Sequence, residues 1–427
     1  MTDTRFCAHG LFFLFITGLL CLISSIAHAQ PRVEKGVLDA RQFDLATQQL
    51  PLNGSWIWYD NQLLSPSDLS TGHGEYVGFP KVWNDTRTST SGLGYATYAV
   101  TVLLPEAPDS LALNMPDAYT SYQLWANGKV IAKNGTVGKT KETSQPHWEV
   151  KVISFHRPGD TLRLVLQVSN FDHHKGGIKN QITLGESNRI SSQFKLASIS
   201  TLIECGALCA MFLIFLILFF VQDRKRIILY FALLCLTWSV RSVFSNDYIF
   251  SSFFPDFAWA PLVRIEYLTL YFTMIWCTLF LSRLFTNEEN KIAKYLLVAV
   301  NCIFTALTVL TSPLAFTQWL NIYLIVAGAL ILYAATIIFR ALVNERTGSS
   351  FLTICILLNM LLFAYDIFTY QGFFAYSPMV LSFGYIFLYI LMAFALLFHL
   401  NIITGKPEQA TILRYDDLYK DDMYKVK

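Results

Sequence analysis

Four rings in the first 190 positions, Trp83, Tyr95, Trp125 and Trp148, are of the type that stacks on the CH faces of a sugar. Asn84, Asn127, Asn170 and His173 carry groups that could hydrogen-bond its hydroxyls. A largely apolar wall with a few placed polar groups is the usual make-up of a small-molecule site, so these eight are the candidate ligand-binding residues. The competing reading is that the rings fill a β-sandwich and the asparagines serve turns. Trp125 stands apart: strand alternation puts it opposite Tyr122 and Leu124, as a sugar platform or as part of an interface with the membrane region.

A second group lies within or at the edges of long apolar segments: Glu204, Arg241, Arg264, Glu266 and Asp366. A charge near mid-bilayer costs about 2.5–3.5 kcal/mol on insertion scales. Two cations and three anions at one depth would lower that cost by pairing. The expectation is an intramembrane polar cluster beneath the outer domain, with Arg241 pairing Glu204 or Asp366. The alternative leaves Arg264 and Glu266 in the headgroups and lets the others snorkel.

Other chemistries find no support. There is no Gly-x-Ser-x-Gly, no His-Glu-x-x-His, no intramembrane aspartate pair and no convincing pair of hydrolytic carboxylates. No catalytic residue and no cofactor is therefore expected. His173 and His174 are adjacent, without a carboxylate or cysteine cluster to complete a metal site. No basic run suggests nucleic acid. Of eight cysteines, two lie near the N-terminus and six in apolar segments, so the outer domain must be stable without disulfides.

The chain is 54% hydrophobic and only 15% charged, against about a quarter charged in soluble domains. Residues 1–29 read as a signal peptide: Arg5, an apolar run from Leu11 to Ile23, and Ala27-His28-Ala29 before Gln30. Leu20 before Cys21 is not the small residue a lipoprotein signal needs. Seven later segments, roughly 196–221, 227–245, 262–285, 292–311, 318–340, 350–370 and 377–401, are long enough to span the bilayer as helices. Arg224, Lys225, Arg226, Lys291, Lys294, Arg340, Arg346 and the lysines of the tail fall in alternate loops. The other loops, about 246–261, 312–317 and 371–376, hold none. The positive-inside rule places the N-terminal domain in the periplasm and the tail in the cytoplasm of a bacterial inner membrane.

Between leader and helices the pattern is period two. Leu162, Leu164, Leu166 and Val168 share one strand face; Tyr98, Val100, Val102 and Leu104 repeat it. Asn127-Gly128 predicts a tight hairpin turn. The expected fold is an all-β jelly-roll sandwich followed by an all-α seven-helix transmembrane bundle. The divisions are 1–29 leader, 30–192 sandwich, 193–402 helices and 403–427 tail.

Leu52-Asn53-Gly54-Ser55-Trp56, Trp83-Asn84, Gly94-Tyr95-Ala96-Thr97-Tyr98, Leu124-Trp125-Ala126-Asn127-Gly128 and Val168-Ser169-Asn170-Phe171 occur in that order. The set resembles the galactose-binding-like jelly roll that serves some glycoside hydrolases as a sugar-binding domain. Followed by seven helices, it resembles the bacterial seven-transmembrane receptors with diverse intracellular signalling modules (7TMR-DISM). That resemblance implies a sensory receptor: a periplasmic small-molecule or glycan ligand outside, signal output inside, and the lipid bilayer around the helices. The family usually carries a cyclase, kinase or phosphatase after the last helix, whereas about 25 residues follow Ile402 here. The expectation is a cytoplasmic signalling protein supplied in trans, a sequence that stops short of its output domain, or a stand-alone member. A transporter or channel, or an assembly scaffold subunit, is the competing class. Against transport, Pro255, Pro261, Pro313 and Pro378 fall in loops or at helix ends rather than mid-span.

Overall fold

The computed structural model describes residues 31–87, 91–106, 108–245, 248–346, 349–370, 377–400 and 402; within 349–370 the side chains of 356, 360, 363, 364 and 366–370 are outside it. The expected leader, the loop 371–376, the tail and the side chain of Asp366 thus lie outside the described residues.

Thirteen strands are found among the described residues: β1 (Val37–Asp39), β2 (Leu50–Pro51), β3 (Gly54–Asp60), β4 (Glu75–Phe79), β5 (Lys81–Val82), β6 (Gly94–Leu103), β7 (Ser110–Met115), β8 (Ser121–Ala126), β9 (Lys129–Asn134), β10 (Lys151–His156), β11 (Thr161–Asn170), β12 (Gly177–Ile178) and β13 (Thr183–Glu186). One sheet runs β4-β3-β6-β11-β8-β9 with β1 parallel to β6, and a second runs β10-β7-β13-β2. The alternation in β11 sets the core. Leu162, Leu164, Leu166 and Val168 are wholly buried and meet Leu111, Leu113, Met115 and Leu184 of the second sheet. Each buried aliphatic side chain of this kind contributes about 1.5–3 kcal/mol. Asn127 and Gly128 both take positive φ, 45° and 83°, and join β8 to β9 as a hairpin. Asn127 secures the turn by donating to Thr161 O at 2.9 Å and accepting from Arg163 N at 2.6 Å.

The opposite face of β11 is less solvated than alternation suggests. Ser169 is fully buried, and its hydroxyl meets those of Ser121 at 2.8 Å and Ser144 at 2.9 Å. Ser144 belongs to the segment after β9, which folds back over the sheet. Such a cover is a long-range event that no local pattern encodes.

Among the described residues seven long helices follow: α1 (Ser187–Val221), α2 (Arg226–Phe244), α3 (Trp259–Leu284), α4 (Lys291–Leu310), α5 (Leu320–Val343), α6 (Ser349–Tyr370) and α7 (Pro378–His399). All but α6 are long and apolar enough, among the described residues, to cross a membrane. A sandwich followed by a helical membrane bundle is the architecture expected from the sequence.

The first helix starts at Ser187, where the apolar segment begins only near 196. Ser187 to Lys195 contain neither glycine nor proline, so nothing stops the helix from extending out of the lipid. Its 35 residues run about 52 Å, against a hydrocarbon thickness of about 30 Å. The extra turns lie on β7, β10 and β13. Ile190 is buried there, Ser187 Oγ meets Ser154 Oγ at 2.7 Å, and Arg189 Nε donates to Ala46 O at 3.2 Å. Strand β13 therefore passes into α1 without a linker, and one rigid helix is shared by sandwich and bundle.

Candidate functional site

Most of the residues singled out for sugar binding spend their polar groups inside the protein. Trp83 is fully buried; its Nε1 donates to Tyr98 OH at 2.6 Å, and the Arg87 guanidinium lies 4.2 Å above its ring. Asn84 Nδ2 donates to His174 O at 3.1 Å. Asn170 is fully buried, donates to Gly92 O and His173 O, each at 2.7 Å, and accepts from His173 N at 3.0 Å. Tyr95 is half-buried and its carbonyl accepts from Arg87 at 3.0 Å. Trp125 is 8% exposed at a bulge opposite β9. Asn127 stands at the far end of β8, in its turn.

Trp83, Asn84, Asn170, His173 and Trp148 gather at the end of the sandwich that faces the helices. Trp148 is the keystone. It is 2% exposed, its Nε1 donates to Tyr119 O at 2.5 Å, and its ring lies 4.5 Å from that of Tyr248 and 5.8 Å, edge-on, from that of Trp259. On the sandwich side it lies 6.5 Å from His173, which stacks on Tyr119 at 4.9 Å. His174 N donates to Thr317 Oγ1 at 3.0 Å, a second tie between the two halves. Tyr119, Tyr248, Trp259 and Thr317 were not among the residues expected from the sequence. The available signal was aromatic enrichment in the Lys- and Arg-free segment 246–261.

Burial holds the His173 imidazole neutral, its pKa pushed down to about 4. A histidine depressed in the fold keeps its full contribution above pH 6.5, and loses it as the unfolded chain takes up the proton first. From pH 6.5 to 4 the full chain should lose about 3 kcal/mol on this account. Buried Asp117, whose carboxyl is raised by desolvation, acts in the opposite sense over the acid end of that range. Unfolding followed by circular dichroism from pH 7 to 4 isolates this contribution as the slope that His173→Asn removes; equal slopes in both proteins would contradict it.

Beside Trp148 opens a groove of about 700 Å³. Its rims are β9 and β10, the outermost strands of the two sheets on this side. Ile131, Val150, Ile153 and Phe194 supply apolar lining, and Lys133, Glu149 and Lys151 supply charge. Lys151 Nζ spans the rims, donating to Lys133 O at 3.0 Å while pairing with Glu149 at 2.8 Å. Phe194 belongs to α1, and Val150, two residues from Trp148, joins the aromatic seam. Strand edge, seam and first helix thus meet at one place.

The intramembrane charges separate into three. Arg241 Nη1 donates to Glu266 O at 3.1 Å, and the two side chains are electrostatic neighbours. Glu204 turns elsewhere, accepting from Trp238 Nε1 at 3.0 Å and hydrogen-bonding Ser382. Arg264 donates to Thr308 O and Thr311 O, at 3.1 and 2.6 Å, satisfying carbonyls at the C-terminal end of α4. Glu266 lies within electrostatic range of Asp117 and Lys179 of the sandwich as well, so the Arg241–Glu266 pair reaches the seam. Arg241→Leu should destabilise the chain in detergent, with Arg241→Leu/Glu266→Gln recovering about 1 kcal/mol or more of the loss. Strict additivity in that cycle would show the two do not interact.

The family model described as 7TM diverse intracellular signalling matches residues 198–398. No curated protein matches the chain. Among similar solved structures, the GH2 β-galacturonidase of Eisenbergiella tayi bound to glycerol is 13% identical at a TM-score of 0.25, with 33% of this chain and 24% of that one covered. The Ruminococcus gnavus β-glucuronidase is 12% identical at 0.25, covering 32% and 28%. The Faecalibacterium prausnitzii β-glucuronidase is 15% identical at 0.23, covering 32% and 31%. The chain spans less than a third of the length of each.

Proposed function

We propose that the chain, whose residues 198–398 match the family model described as 7TM diverse intracellular signalling, is a membrane sensory receptor whose sandwich binds a small carbohydrate-class ligand. The ligand site of this reading is the groove between β9 and β10. It offers what the expected aromatic platform does not: an apolar lining with cationic and anionic groups at its rim. The observation that carries the proposal is the continuity of α1. The same helix supplies Phe194 to the groove and then enters the bundle as its first span.

Signal transfer needs a ligand that binds two packings of the bundle unequally. A ligand held across β9 and β10 displaces the Lys151 bridge and bears on Glu149 and Val150. That strain reaches Trp148, and through it Tyr248, Trp259 and the start of α3. The Lys and Arg distribution supports a periplasmic sandwich and cytoplasmic loops at 222–226 and 340–346. Those loops and the tail would present the bundle's state to a separate signalling protein.

Glycan-array binding by the full chain in detergent tests the ligand class. Retention of a defined glycan set, weakened about tenfold in Lys133→Glu/Lys151→Glu, is expected. A folded chain that retains no glycan would move the ligand out of the carbohydrate class.

A further inference from the structure

Between α2 and α3 the chain forms a short helix, Ile249–Phe253, and every residue from Ser252 to Ala258 is exposed. That stretch reads Ser-Phe-Phe-Pro-Asp-Phe-Ala. Phe253 and Phe254 are 63% and 57% exposed, and Phe257 is exposed as well. Single apolar side chains are common on a protein surface, whereas three phenyl rings within five residues mark a contact surface. The rings are held from beneath. Phe254 stacks on Phe250 at 4.8 Å, and Phe257 meets Phe250 edge-on at 5.2 Å. Phe250 in turn stacks at 4.3 Å on Phe244, the last residue of α2.

Two neighbours fix the depth of this patch. Ser252 and Phe194 line the same groove. Phe194 stands two residues before the apolar run of α1, whose Leu196, Ile199 and Ile203 face outward. The phenyl patch thus lies close to the level at which α1 enters lipid, and it continues the outward apolar face of that helix. Aromatic side chains favour this interfacial depth. No Lys or Arg occurs in 246–261, and Asp256 is the one charged residue of 252–258.

We propose that residues 252–258 dip into the leaflet nearer the sandwich, so that the lipid surface is itself a ligand of the sandwich–bundle seam. Burial of the phenyl rings drives a shallow insertion at the boundary of headgroups and acyl chains. The consequence runs through Phe250 and Tyr248, which both belong to the aromatic seam, the Tyr248 ring lying 4.5 Å from that of Trp148. Loose lipid packing admits the rings and tight packing excludes them. Either state bears on the seam from the membrane side, independently of any occupant of the β9–β10 groove.

Photocrosslinking of the full chain in phosphatidylcholine nanodiscs tests the placement. p-Benzoylphenylalanine is introduced singly in place of Phe253, Phe254, Ile214 or Val37, and mass spectrometry reads the adducts after irradiation. Ile214, exposed in the middle of α1, is the lipid control. Val37, exposed and opposite Thr101 towards the end of β6 away from Gly94, is the control outside lipid. Positions 253 and 254 should give phosphatidylcholine adducts at about the Ile214 yield and roughly tenfold above the Val37 yield. Each position stands alone, so a variant that fails on gel filtration leaves the other. No lipid adduct at 253 or 254 while Ile214 gives one, or cross-links there only to a second copy of the chain, would overturn the proposal. Amide exchange in 248–251 should also be faster in tightly packed dimyristoyl than in loosely packed dioleoyl phosphatidylcholine. Phe253→Ser/Phe254→Ser should abolish that difference; its persistence in the variant, or its absence from the parent, would remove the lipid surface as a ligand of the seam.

Discussion

Replacing Trp148 by alanine should destabilise the full chain by about 3–5 kcal/mol, the range for emptying a buried tryptophan site. The side chain is almost fully enclosed, and its loss removes ring contacts to Tyr248 and Trp259 together with the hydrogen bond to Tyr119 O. The damage should be directional. Amide exchange should rise in 248–254 and 259–262, while the core strand β11 keeps its protection at low denaturant. Trp148→Phe retains part of the ring packing and loses the indole donor, so it should cost about 1–3 kcal/mol. A Trp148→Ala chain within 0.5 kcal/mol of the parent would mean that the seam contributes little to holding the halves together.

Arg87→Ala should cost about 1.5–3 kcal/mol, because it removes the charge-assisted hydrogen bonds to the half-buried Asp60 carboxylate, which keeps Asn61 as a donor. The arginine side chain is 5% exposed and pairs with Asp60 through Nη2. Its Nε donates to the same carboxylate at 2.9 Å, Nη2 also reaches Tyr95 O, and the plane covers Trp83. Asp60→Asn in the Arg87→Ala background should recover part of the loss, since it removes the charge that the arginine had offset. Chemical unfolding of the single and double variants gives the coupling directly. An Arg87→Ala protein as stable as the parent would place the stabilising weight on the Trp83 core instead.

Local chemistry was readable from sequence where its partners are local. Asn127-Gly128 announces its turn because both positive φ angles belong to those two residues. The inward face of β11 shows in four alternating apolar residues. The membrane helices show in length and hydropathy, although the start of α1 at Ser187 does not. Hydropathy marks where lipid begins, while the helix continues until something breaks it.

Asn170 illustrates the opposite case. As a residue type it fits sugar recognition, yet its amide is directed to Gly92 O and to the carbonyls of its own loop. Gly92 is 78 residues away in sequence, so that use of the side chain exists only once the sandwich has closed. The same holds for Trp148, whose partners Tyr248 and Trp259 come from the membrane half. The intramembrane charges were readable as a set and not as pairs. Helix rotation decides that Arg241 meets Glu266 while Glu204 meets Trp238, and the apolar runs around these residues carry little amphipathic bias to reveal it.

In the proposed receptor, the state of the β9–β10 groove reaches the far end of the bundle through α1 and the Trp148 seam. This coupling can be tested without knowing the ligand. No cysteine occurs between residues 30 and 190, so Lys133→Cys/Lys151→Cys adds two thiols that a short, membrane-impermeant bis-maleimide can bridge across the groove. Hydrogen–deuterium exchange of the full chain in nanodiscs then compares bridged with unbridged protein, with the parent treated identically. Bridging should alter exchange in 248–254 and in 222–226, beyond the far end of α1. Altered exchange confined to the sandwich, with everything after Ser187 unchanged, would contradict it.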